Sequence, residues 1–486
     1  MEKITSKLVV VFSFLLMIGM VLAQLMFVNS FASTYDQVDF ALALERYDVL
    51  AMQPHFPGYP YFILGGALIH QWIADKAASL TLFNVLIYAS AVVPMYKLAR
   101  SRLSASLSIL TAALIYSAGF VVLMVNQPMS EGAAIAVLWW YVWSIYAAHE
   151  NQGVWSNILP LFLLSVLLGI RLSYLPFISG VLFLFYKKWQ SRQLQMNQLF
   201  SLGCLAIMFQ LLWIGGVAIT EGSFIGFMKL AFAFTNGHFN EWGGTAASAD
   251  RSFIERLYQL VVENIGWTGM AVRSYVLAGM LLVYLFCFWG AVRRKRLEYG
   301  FLAHLFIILI SSYFLWALFA QNIDKPRHII PVITLGLFGL YAVIFSKWKH
   351  GWILAFSCLF LCVQADQTTA LLKEQSKELP ATYQIAAYLA QRDDPFIVYA
   401  WEESRVFTYL DVPFPHKEIN TYSKFLYDTS YYKNKEILLT DKVIEGFISQ
   451  GIDLTGKVEP LKEFSSNSLF DPVYHHIVLY KWKSGN

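Results

Sequence analysis

The sequence predicts an all-α polytopic membrane protein of about eleven transmembrane helices, followed by a small C-terminal extracytoplasmic α/β domain. Three observations predict it. First, 57% of the 486 residues are hydrophobic and only 14% are charged, with a mean hydropathy of +0.51. So few charges cannot cover the surface of a water-soluble protein of this size. Second, apolar runs long enough to cross about 30 Å of hydrocarbon recur along the chain. Third, the composition changes after residue 366, where apolar runs become short and charges dense.

The expected spans are residues 8–28, 79–98, 104–125, 129–148, 154–170, 172–186, 197–219, 267–290, 300–320, 328–346 and 350–366. The first resembles a signal peptide, but with no small-residue cleavage site it is expected to persist as a helix. A cytoplasmic N-terminus puts every strongly basic turn on one side. These turns hold Lys3 and Lys7; Lys97, Arg100 and Arg102; Lys187, Lys188 and Arg192; Arg293, Arg294, Lys295 and Arg296; and Lys347 with Lys349. Residues 57–74 are apolar but short and opened by Pro57 and Pro60, so they are expected to lie on the outer face.

The transmembrane unit is thus residues 1–366, with long outer loops at 29–78 and 220–266. The second loop has amphipathic pieces near 222–235 and 251–264, suited to the interface plane. The tail, 367–486, is mildly acidic, with strands expected at 396–400, 436–440 and 476–481 and helices at 380–391 and 441–450. Glu402-Glu403 reads as a helix start. All four cysteines lie in apolar runs, so no disulfide framework supports the exposed parts.

Polar groups beside a membrane are costly and mark candidate sites. The densest group lies in the first outer loop. There Asp36 and Asp39 stand at i, i+3 on a helical pattern and share a face. Such a pair can orient a hydroxyl or amine, accept its proton, or share a divalent cation. The motifs require no other cofactor. From Pro54 to Pro60, three prolines and a glycine set a rigid turn that presents His55 and Tyr59.

This arrangement resembles the GT-C glycosyltransferases, in particular the protein-mannosyltransferase-like and aminoarabinose-transferase-like branch. The segment Gln53-Pro54-His55-Phe56-Pro57-Gly58-Tyr59 is similar to that branch's His-Pro-Pro-Leu-Tyr turn. Asp36 matches the first acid after the opening helix, but the family's Asp-Glu pair is here Asp36-Gln37, and Asp39 stands in as the second acid. Glu131, after Asn126-Gln127-Pro128, matches an acid at an outer helix end. Lys325-Pro326-Arg327-His328, running on to Pro331, resembles the family's Arg-Tyr-x-x-Pro segment.

The resemblance implies catalysis by Asp36 and Asp39. It also implies that a polyprenyl-phosphate-linked sugar is bound by His55, Tyr59, Glu131, Arg171, Lys325, Arg327 and His328. The acceptor would be a lipid, a protein or a wall polymer on the outer face of a plasma membrane, compatible with a bacterial one, and no nucleic-acid partner is expected. Arg171 is the costliest of these residues, because it is flanked by Ile170 and Leu172 and needs an anionic partner. Two alternatives remain open at the sequence level. A transporter or flippase of lipid-linked glycans would place polar residues at mid-membrane depth, usually with repeat symmetry. A glycan polymerase or ligase would depend on the 220–266 loop.

Overall fold

The computed structural model describes residues 2–151, 153–247, 251–294, 300–348 and 350–483. The basic residues Lys295, Arg296 and Lys349 of the expected inner turns lie outside this set. Among the described residues, seven helices are long and apolar enough to cross a membrane: Ser6–Met26, Lys76–Arg100, Met196–Thr220, Tyr275–Arg293, Phe301–Ala320, Pro326–Lys347 and Gly351–Gln375. An eighth candidate is the pair Ala105–Tyr116 and Gly119–Val125, bent by 60° at its break.

The other three expected spans also have helical counterparts. They are the Glu131–Glu150 helix, the shorter apolar stretch Val154–Ile170, and a 3-10 turn at Leu172–Phe177 leading into the Ile178–Gln190 helix. The split expected at Arg171 is real, because that residue is extended (φ −154°) between two helical pieces. Residues 57–74 yield only an 11-residue helix, Pro60–His70, as their length and prolines require.

Many large apolar side chains on these helices face outward. Phe200, Ile207, Leu211, Leu212 and Ile219 line the outside of the Met196–Thr220 helix. In water such a stripe would be a liability, whereas in lipid it is the expected surface.

The last apolar helix does not stop at residue 366 but continues to Gln375. Beyond it the tail folds into a five-stranded sheet of β1 (Phe396–Ala400), β2 (His416–Glu418), β3 (Glu436–Thr440), β4 (Val458–Ser465) and β5 (His476–Trp482). The spatial order is β2-β1-β3-β5-β4, with β1 parallel to β2 and β3, and β5 antiparallel to β3 and β4. Helices Ala381–Ala390 and Asp441–Ser449 match the expected ones. Apolar clusters form around Ile385, Val398, Phe407 and Leu438, and around Tyr399, Phe425 and Phe447.

The outer end of the bundle is held by polar contacts made inside it. Asn84, fully buried on the Lys76–Ser90 helix, donates through Nδ2 to the carbonyls of Gln127 and Met129, both at 2.8 Å. These bonds satisfy the turn that leads into the Glu131–Glu150 helix. Gly132 permits the close approach, since a Cβ there would lie 2.7 Å from the Asn84 side chain.

Asn84→Ala would leave the Met129 carbonyl buried without its donor, at a cost of about 1–3 kcal/mol, while the Gln127 carbonyl keeps the Met129 N–H at 2.8 Å. Thermal unfolding of the detergent-solubilised protein is expected to shift clearly downward. A variant as stable as wild type would show that water replaces the amide.

Candidate functional site

The site begins with a short helix, Tyr35–Leu42, just after the first span. Thr34 caps it by accepting from the Gln37 N–H, and the Gln37 side chain accepts in return from the Ser33 and Thr34 N–H groups at 2.8 and 3.2 Å. Gln37 therefore completes a capping box. Its Nε2 also donates to Gln127 Oε1 at 3.2 Å. The residue that departs from the expected acidic pair thus has a structural task.

Asp36 and Asp39 leave this helix toward different partners. Asp36, with its side chain 28% exposed, accepts from Arg327 at 2.5 Å. Burial opposes its ionisation, but the cations around it, Arg327 first and then Lys325 and Arg171, outweigh that, so its carboxyl is held well below the usual carboxylate range.

Asp39 is 0% exposed, and both its oxygens are engaged. Oδ2 lies 3.2 Å from His55 Nδ1, and Oδ1 accepts from Arg405 Nε at 2.9 Å. Burial pushes the Asp39 carboxyl up, with His55 and Arg405 pulling the other way.

His55 sits between Pro54 and Pro57, each preceded by a cis peptide bond. A carboxylate only accepts, so Nδ1 carries the ring proton toward Asp39 and Nε2 accepts from the Tyr59 hydroxyl at 2.9 Å. Tyr59 is itself held in the left-handed region, φ +47°, at the entry to the Pro60–His70 helix. The ring of His55 lies parallel to Phe234 at 6.2 Å. Phe234 comes from the Phe224–Gly237 helix, so the second outer loop folds against the first.

A second network adjoins this one. Glu131 opens its helix with 1% exposure, and its Oε1 is ion-paired at 3.0 Å to both Arg171 and Arg327. Arg171 also donates to Ser130 Oγ at 2.9 Å and to His328 Nδ1 at 3.1 Å, which puts the His328 ring proton on Nε2. Arg327 thus bridges Glu131 and Asp36. Two carboxylates and two guanidiniums cancel in charge, and Lys325, half-buried beside them with no ion pair among the described residues, adds a positive charge.

Asp36, Glu131, Arg171, Arg327 and His328 therefore form one contiguous group with Lys325 at its edge, and Asp39, His55 and Tyr59 form the next. Among the described residues no cluster of three or more His, Cys, Asp or Glu side chains is arranged for a metal ion. Sequence reasoning missed Arg405 and Asp471, both from the tail. Asp471 is buried; burial pushes its carboxyl up, while the Tyr474 and Val473 N–H groups and the nearby Arg327 and Lys325 pull the other way. A cavity between the tail and the bundle is lined by Thr34, Gln37, Gln127, Arg327, Phe470 and Asp471.

No family model and no curated protein matches the chain. Among solved structures, ArnT from Cupriavidus metallidurans bound to undecaprenyl phosphate superposes with a TM-score of 0.56 at 13% identity, over 96% of this chain and 97% of that one. Its apo form gives 0.55 over the same shares. This is an ArnT-like fold. The resemblance read from the first loop and the late Arg327-His328 segment is borne out at that level, and the protein is a multi-pass membrane protein. An oligosaccharyltransferase from Archaeoglobus fulgidus aligns with a TM-score of 0.46 at 12% identity, over 87% of this chain and 67% of that one. The tail belongs to the ArnT-like alignment, which leaves only 4% of this chain uncovered.

Glu131→Gln is expected to destabilise the protein by roughly 3 kcal/mol, because Arg171 keeps no other carboxylate partner among the described residues. Glu131→Asp, which retains the charge, should recover part of the loss. Thermal midpoints in detergent measure both. Equal midpoints for Glu131→Gln and wild type would mean that the arginines find another counter-ion.

Proposed function

We propose that this protein is a membrane glycosyltransferase that moves a sugar from a polyprenyl-phosphate carrier to an acceptor on the outer face of the membrane. The observation that carries the reading is the partly exposed Asp36 on Arg327, within a network that also holds Arg171 and Lys325. The ArnT-like fold supports it, since one relative of that fold is described as bound to undecaprenyl phosphate. The distribution of basic turns supports a cytoplasmic N-terminus and a tail on the outer side.

In the reaction proposed, Asp36 takes a proton from the acceptor hydroxyl or amine. The freed lone pair attacks the anomeric carbon, the bond from that carbon to the phosphate oxygen breaks, and the phosphate leaves on its polyprenyl chain. Arg327, Arg171 and Lys325 stabilise the charge that gathers on the departing phosphate. Glu131 holds the two arginines in place. Asp39, closed off from solvent, acts through His55 and Tyr59 as a positioning residue for the donor.

An aspartate this strongly ion-paired is a weak base. A phosphate that draws Arg327 toward itself relieves Asp36 of its main cationic partner and raises its basicity. The donor therefore switches on the base that activates the acceptor. In pH profiles, the acid limb of kcat/KM reports the free enzyme and that of kcat the donor complex. The limb of kcat is expected at higher pH than that of kcat/KM. Coincident limbs would mean that Asp36 is not released.

Transfer from labelled polyprenyl-phosphate sugars by reconstituted protein tests the reading directly. Asp36→Asn is expected to lose about 100-fold or more in kcat while still binding donor. Undiminished transfer by this variant would remove the base. Movement of lipid-linked sugar between leaflets, with no transfer from any carrier, would favour a flippase.

A further inference from the structure

We propose that the C-terminal domain is part of the site, and that Arg405 is the positioning residue through which it sets the Asp39–His55–Tyr59 group. Arg405 lies on the Glu403–Tyr409 helix of the tail, 366 residues after Asp39. Its Nε donates to Asp39 Oδ1 at 2.9 Å. One of its terminal nitrogens donates to the carbonyls of Ala51 and Met52, at 3.1 and 3.0 Å. One planar guanidinium therefore ties together the helix that carries both aspartates, the backbone leading into His55, and the tail. A lysine offers no such fork.

The tail is seated around this contact, not merely touching it. Thr382 donates to the Ser33 carbonyl at 3.2 Å, Gln127 to the Phe470 carbonyl at 3.0 Å, and Arg273 to Ser468 at 2.6 Å. These bonds surround the capped start of the Tyr35–Leu42 helix. The Asp39–Arg405 pair adds a further link between tail and first loop, with a carboxylate closed to solvent.

Arg405 also sets the proton balance of its neighbours. His55 faces Asp39 and, farther off, Asp36 on the short helix, Tyr59 on its own turn, and the uncharged rings of Phe40 and Phe234. With Arg405 in place, both Asp39 oxygens are engaged, one by the guanidinium and one by His55, and the ring is held where Nε2 meets the Tyr59 hydroxyl. Without the guanidinium, the buried carboxylate draws a second proton onto the Asp39–His55 pair. The bond from Tyr59 to Nε2 is then lost, and with it the alignment of that wall of the site.

The test uses the full-length protein in detergent, as wild type, Arg405→Gln and Arg405→Lys. Imidazole NMR of histidine-labelled protein, with the His55 signal assigned through His55→Gln, gives the protonation midpoint. Arg405→Gln removes the charge and is expected to raise that midpoint by about one pH unit or more, whereas Arg405→Lys keeps it near wild type. A wild-type midpoint in Arg405→Gln overturns the inference.

The catalytic consequence rests on the glycosyltransferase reading. Here Arg405→Gln should lower kcat roughly tenfold or more with little change in KM for the donor, and Arg405→Lys should restore part of it. If wild type itself transfers no sugar, that reading fails while the His55 titration still decides the role of Arg405. If Arg405→Gln does not fold, Arg405→Lys decides alone, because its single nitrogen cannot hold Asp39 and both carbonyls at once as the two guanidinium nitrogens do, and a wild-type kcat in it overturns the inference.

Discussion

Glu131 stands at the first turn of a helix packed inside the bundle, almost closed to solvent, with two guanidinium groups on one oxygen. Taking three charges out of water costs several kcal/mol for each, and their attraction offsets this only when the geometry is tight. Here the turn before the helix is fixed by Asn84, and Gly132 lets the two helices close around it. The outer end of the bundle follows from that placement. Arg171 is tolerated at a break between apolar segments because Glu131 meets it. Arg327 is held where its other face reaches Asp36.

The bundle was readable because lipid imposes long apolar runs, and all eleven expected spans have helical counterparts. The least regular of them fall at Arg171 and at the bend after Tyr116, where polar or small residues interrupt the run. In the tail, β1, β3 and β5 were visible as short apolar runs. β4 was not, since it is an exposed edge strand, Val-Glu-Pro-Leu-Lys-Glu-Phe-Ser, with a register shift between Pro460 and Lys462. β2 has three residues and no pattern to detect. The candidate site was readable one residue at a time, through the charges near the outer face. Its partnerships were not, because Asp36 and Arg327 are separated by 291 residues and no periodicity links them.

Arg405 shows the same limit more sharply. The preceding Glu402-Glu403 marks a helix start, and the structure bears this out, with Glu403 accepting from the Trp401 N–H at 2.9 Å. Nothing in that local pattern says that the next basic residue reaches into the first loop. Conversely, Gln37 drew notice as the residue that breaks the expected acidic pair, and its capping box explains why an amide stands there. An amide both accepts from the cap backbone and donates to Gln127, which a carboxylate does not do.

The long return from the tail to the first loop has a consequence for how the molecule is made. Asp39 leaves the ribosome early and Arg405 last among its partners, 366 residues later. At ordinary synthesis rates that interval is roughly 20–70 s. Throughout it the first loop must wait at the membrane surface with its acidic residues hydrated, while each later helix is inserted. Maturation of this region is therefore a terminal event of biogenesis. A chain interrupted between the last membrane helix and the tail would leave an inserted bundle whose first loop lacks Arg405.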